Sequence, residues 1–87
     1  MKITKRNGTI TLYDDEKVAE SILRANAEVE EEILTRAQAH AIADEVFHRL
    51  TNQREVITTR EIRDCVSAIL RERTLIETAE HYMSFRK

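Results

Sequence analysis

Proline and tryptophan are absent from this chain, and glycine and cysteine occur once each, at Gly8 and Cys65. With so few chain-breaking residues in 87, irregular loops should be few. A single glycine rules out a P-loop and a GxGxxG dinucleotide turn, since both need several. One cysteine can neither close an internal disulfide nor build a zinc site by itself. No apolar run approaches the roughly 20 residues that span a bilayer, and the N-terminus lacks a signal peptide's apolar segment. The expected location is therefore cytoplasmic, with no membrane partner. A strong excess of one charge is missing too. Fourteen Lys and Arg against sixteen Asp and Glu leave a net charge of −2, which disfavours a dedicated nucleic-acid binder.

What is present is ordinary globular material for one small domain, residues 1–87, with 41% apolar and 34% charged residues. The charge is unevenly laid out. Residues 1–13 carry Lys2, Lys5 and Arg6 and no acid, whereas residues 14–32 carry eight acids against Lys17 and Arg24. A local cationic patch on a mildly acidic body suits a small anionic ligand.

Asn7-Gly8 lies between two short β-prone runs and predicts a two-residue type I′ hairpin. That turn pairs Arg6 with Thr9, Lys5 with Ile10, Thr4 with Thr11 and Ile3 with Leu12. One face then holds Ile3, Lys5, Ile10 and Leu12, leaving Lys5 among apolar neighbours. An isolated desolvated lysine is costly, so its amine either snorkels to an edge or meets an anion.

Four helices follow. Asp14 caps the first, with acids favourable in its first turn and a Tyr13–Val18 staple. Val18, Ile22, Ala25 and Val29 form its apolar stripe, and the acidic run Glu28–Glu32 places its end near Ala27. Thr35-Arg36-Ala37-Gln38 is a capping box for helix 2, which buries Ala39, Ile42, Ala43, Val46, Phe47 and Leu50. Residues 51–54 read as a loop, and Glu55-Val56-Ile57 as a short third strand. Thr58-Thr59-Arg60-Glu61 opens helix 3, which buries Ile62, Cys65, Val66, Ile69 and Leu70. Thr74-Leu75-Ile76-Glu77 reads as a third box, opening helix 4 with Ile76, Ala79, Tyr82 and Met83 inward. The expected class is α+β: a small N-terminal β-hairpin or three-stranded sheet packed on a four-helix bundle.

Catalytic machinery is not evident. His40, His48 and His81 lack metal-ligand spacing, Cys65 falls on an apolar face, and the acids of residues 28–32 read as a solvated turn. No catalytic or metal residue is assigned. Phosphate could be held by side chains, the candidates being Lys5 and Arg6 at the hairpin, Lys17 on helix 1, and Arg86-Lys87 after helix 4. For the terminal pair, compensation of a helix dipole is the competing reading.

Four segments in order resemble the ATP-cone, the small regulatory domain of many ribonucleotide reductases and of the bacterial repressor of reductase genes. They are Lys5-Arg6-Asn7-Gly8, Tyr13 to Val18, Thr59-Arg60-Glu61-Ile62, and Ala79 to Arg86. The resemblance covers the whole chain and implies binding of ATP and dATP as opposing effectors, with Mg2+ as an optional companion. It also implies that Lys5, Arg6 and Arg86 or Lys87 meet phosphates, that Glu16 and Lys17 lie near base and sugar, and that Thr59 and Arg63 face the ligand. Asn7 stands where the family usually has Asp, and Thr11 where many members have Glu.

The expectation is a non-catalytic allosteric domain, the N-terminal activity control of a ribonucleotide reductase. Its partners would be an adenine nucleotide, a reductase catalytic core or another subunit, and a second copy in a homo-oligomer. The alternative is a protein-interaction or transcription-regulator module of the same fold with weak or no nucleotide binding.

Overall fold

The computed structural model describes residues 1–53 and 55–84. In chain order these form β1 (Lys2–Thr4), β2 (Ile10–Leu12), α1 (Asp15–Asn26), α2 (Arg36–Thr51), β3 (Val56–Thr58), α3 (Thr59–Glu72) and α4 (Ile76–Ser84). The strands make one mixed sheet in the order β2-β1-β3, with β1 antiparallel to β2 and parallel to β3. The α+β class is thus as expected. The third strand is real, and α1 and α2 form the crossover that leads to it.

The hairpin register is one residue away from the expected one. Lys2, Ile3 and Thr4 pair with Leu12, Thr11 and Ile10. Lys5 donates its N–H to the Thr9 carbonyl (2.8 Å), and Gly8 donates to the Lys5 carbonyl (2.9 Å). The loop is therefore the three residues Arg6-Asn7-Gly8. Among the described residues only Gly8 (φ 89°) and Thr74 (φ 63°) have left-handed backbones. A type I′ turn needs two such residues in succession, so the bend is a type I turn closed by a glycine bulge. Asn7 supports it differently, its Oδ1 accepting from the N–H (3.1 Å) and hydroxyl (2.7 Å) of Thr9. A one-residue slip exchanges the faces of a strand. Ile3 is buried, with Lys5 and Thr11 on its side, while Ile10 and Leu12 point outward at 62% and 70% exposure.

The first three helix starts follow their local signals. The Asp14 carboxylate accepts from the Glu16 and Lys17 N–H groups, and complete capping boxes join Thr35 to Gln38 and Thr58 to Glu61. Behind the sheet, Ile22, Ile42, Val46, Ile57, Val66, Ile69 and Leu70 are fully buried where the helices meet. Phe47, expected in the core, is only half-buried and packs its ring against Tyr13 at 5.6 Å.

The fourth start departs from expectation, because Thr74 ends α3 instead of opening α4. Its N–H donates to the Arg71 carbonyl (3.0 Å) and that of Leu75 to the Leu70 carbonyl (2.8 Å). This is a Schellman ending with a threonine in the left-handed position that glycine normally takes. Leu75 then accepts the first α4 bond, from Ala79, and a leucine side chain cannot cap. Glu32, in the α1–α2 connection, does so instead: its carboxylate accepts from the N–H groups of Glu77 (3.0 Å) and Thr78 (2.8 Å). Asn26 secures the arrangement, donating to the Glu32 carbonyl (2.7 Å) and the Thr78 hydroxyl (3.0 Å) and accepting from the Leu34 N–H (3.2 Å). One acid of the run read as a solvated turn is therefore a remote helix cap.

Candidate functional site

The inner side of the hairpin does not rest fully on the helices, and the space left is a cleft. It has a volume of about 300 Å³ and is walled by Ile3, Lys5, Thr11 and the edge of Leu12 on the hairpin, Tyr13 and Asp14 before α1, Lys17, Val18 and Ser21 of α1, Thr59, Ile62 and Arg63 of α3, and Tyr82 of α4. Each wall has a local cause. The Gly8 bulge turns Lys5 and Thr11 inward, the Asp14 cap fixes the first turn of α1, and the Thr58–Glu61 box fixes that of α3. Lys17, Val18 and Ser21 share one helical face by their spacing.

A second recess of about 420 Å³ adjoins the cleft through shared Thr59 and Arg63, and adds Arg6, Arg60, Asp64 and Met83. Among the described residues, no carboxylate lies within 4.0 Å of Lys5, Lys17 or Arg63 in an ion pair. Cations from three elements thus face the cavity, with Asp14 also on its wall and Asp64 in the recess. This contrasts with the α2–α3 ion-pair cluster, where Arg49 contacts Glu45 (2.6 Å) and Glu72 (2.7 Å) and Arg73 contacts Glu45 (3.0 Å). The floor is apolar and partly hydroxylic. Burial pushes the Tyr82 phenol up, with Ser21 and the Arg63 charge drawing it partly back.

Of the residues singled out from sequence, Lys5, Lys17, Thr59 and Arg63 come together in the cleft, and Arg6 lies in the adjoining recess. Glu16 does not join them. Its carboxylate points toward α2, 3.7 Å from His40 and 4.0 Å from Arg36. Arg86 and Lys87 lie outside the described residues, although Tyr82 and Met83, just before them, border the two cavities. Sequence reasoning assigned no site role to Arg60, Ser21 or Tyr82. The spacing of Ser21 from Lys17 is a usable signal, while the apolar periodicity of α4 marks Tyr82 only as inward-facing. Cys65 is buried, and burial pushes its thiol up. No group of three His, Cys, Asp or Glu side chains suited to a metal exists among the described residues, and no helix there is long and apolar enough to cross a membrane.

Fold and cleft together describe a small α+β ligand-binding module with a cationic cavity at the hairpin side of its helices. The sequence matches the family described as the ATP cone domain along residues 1–87. The chain belongs to the ATP-cone family, whose members are nucleotide-binding regulatory domains. No individually curated protein matches it.

Proposed function

We propose that the cleft binds ATP and dATP as allosteric effectors, and that the domain uses them to control a ribonucleotide reductase. The observation that carries this reading is the convergence of Lys5, Lys17 and Arg63, without ion-pair partners among the described residues, on one cavity. Concentrated positive charge at a concave site draws in a polyanion, and the cavity falls at the lower end of the roughly 300–1,000 Å³ range of small-ligand sites. In this reading the triphosphate lies toward Lys5, Lys17 and Arg63 and reaches the recess with Arg6, with Arg86 or Lys87 as further phosphate ligands. The adenine and sugar lie against Ile3, Val18, Ile62 and Tyr82, with the Thr11 and Ser21 hydroxyls at hand. The Asp14 carboxylate is engaged as the α1 cap, so Mg2+ would arrive with the phosphates. Glu16 takes part only if its side chain leaves α2.

The reductase core or another subunit would meet the outward face of the sheet, where Ile10, Leu12 and Val56 are exposed. That face also supports a second reading, a protein-interaction module with weak or no nucleotide binding. Calorimetric titration with ATP, dATP and GTP separates the two. Adenine-selective saturation is expected, with a rise in melting temperature on the order of 10 °C at a hundredfold excess over Kd. Absence of heat and of stabilisation with all three nucleotides would leave the interaction module.

A further inference from the structure

We infer that Glu32 and Asn26 are positioning residues for the nucleotide cleft, acting through α4 without touching the ligand. The inference rests on the proposed adenine-nucleotide reading of the cleft. Among the described residues α4 has nine, and so short a helix does not hold together by itself in water, where roughly 12–15 residues are marginal. Its place in the fold therefore depends on what docks it. One end of α4 is bound by the Glu32 carboxylate, which accepts from the N–H groups of Glu77 and Thr78, and by Asn26, which donates to the fully buried Thr78 hydroxyl. The other end supplies Tyr82 to the cleft and Met83 to the recess. A single short rod thus joins a polar clamp on one side of the domain to the cavity wall on the other. Neither of the two residues before α4 can replace the clamp, since Thr74 is committed to the end of α3 and Leu75 has no capping oxygen on its side chain.

Two readouts separate positioning from plain stabilisation. Glu32→Gln keeps the size of the side chain but loses its charge and its paired acceptance, so α4 spends more time away from the cleft. A ligand that needs the docked state binds more weakly in proportion to the docked fraction. The expected result is a threefold to tenfold rise in Kd for ATP, measured well below the melting temperature, with faster amide exchange along α4. Asn26→Ala should act in the same direction. Thr35→Ala removes the N-cap of α2, whose hydroxyl accepts from the Gln38 N–H and which lines neither cavity, and should lower the melting temperature while leaving Kd within twofold. If wild-type protein binds ATP and Glu32→Gln binds it within twofold of wild type, α4 needs no clamp for binding and this inference fails alone. If wild-type protein binds no nucleotide, the adenine-nucleotide reading falls, and this inference falls with it.

Discussion

Lys5→Ala probes the cleft with the least collateral damage to the fold. The Lys5 side chain is exposed and enters no ion pair among the described residues. The hairpin uses only its main chain: the N–H donates to Thr9 and the carbonyl accepts from Gly8. Alanine keeps both bonds, so the melting temperature should move by no more than about 4 °C, as for surface substitutions within ±0.5 kcal/mol. A hydrogen bond to a charged group contributes about 1.5–3 kcal/mol, which converts to a loss of affinity of roughly 10- to 150-fold. Lys2→Ala is the matched control. It removes the same charge from the same arm of the hairpin, but pleat alternation sets Lys2 on the outward face with Leu12. At physiological salt, where screening acts over about 8 Å, Lys2→Ala should change Kd less than twofold. Isothermal titration with ATP at two salt concentrations reads both variants. A Lys5→Ala affinity within twofold of wild type would refute a phosphate contact there. Equal losses from Lys5→Ala and Lys2→Ala would show that only net charge matters, not the cleft.

Three further outcomes follow from the packing. Thr74→Gly should stabilise the domain by about 0.5–1 kcal/mol, because relief of roughly 1–2 kcal/mol of left-handed strain outweighs the extra chain entropy of glycine; a melting temperature raised by roughly 3–6 °C would show it, and an unchanged one would mean that the threonine is not strained. Acid should destabilise the fold. Burial raises the Glu32 carboxyl, but the N–H groups of Thr78 and Glu77 outweigh it, and Arg49 holds Glu45 and Glu72 below the ordinary 4.5. Depressed folded values mean fewer protons bound in the native state, so this stability is fully present above 4.5 and is lost as pH falls from there through the lower folded values. On the alkaline side, burial and then Asp15 raise the Tyr13 phenol, so its contribution holds below the ordinary 10.0 and is lost as pH climbs past it. Tyr13→Phe, which deletes the 2.7 Å bond to the Ala43 carbonyl, should cost about 1 kcal/mol and flatten that alkaline limb in a series of thermal melts.

Much of this domain can be read locally. Helices α1, α2 and α3 begin where an Asp or a Thr box says they should, because a cap is a contact among residues within three positions of one another. The hairpin shows the limit of local signals. Asn-Gly marks a bend, but whether glycine is the second residue of a two-residue loop or the bulge of a three-residue one depends on what the strands pack against. Here β2 is exposed along its whole length, so nothing draws Ile10 and Leu12 inward and the inner side is left open as a cleft. The sequence marks Lys5 as a lone cation among apolar neighbours on the core-facing side. Its neighbours there are Ile3 and Thr11, so the side was right and two of the companions were not. The third box failed for a related reason. Thr74 and Glu77 have the right spacing, but the end of α3 claims Thr74 first, and the actual cap comes from a glutamate 46 residues away from Thr78.

That difference in range bears on how a regulatory domain could work. The hairpin, α1 and α3 bring their cleft residues into place with devices internal to each segment, and those devices persist whatever the neighbours do. α4 is held differently, by Glu32, by Asn26 and by packing against α1 and α3. A ligand can shift an equilibrium only by its differential affinity for two states, and the cheapest second state is one that breaks long-range contacts while keeping the local ones. Detaching α4 meets that condition, since it leaves three walls of the cleft intact and removes Tyr82 and Met83 from the fourth. Nucleotide bound against Tyr82 would favour the docked state and so alter the surface that α4 presents to whatever lies beside it.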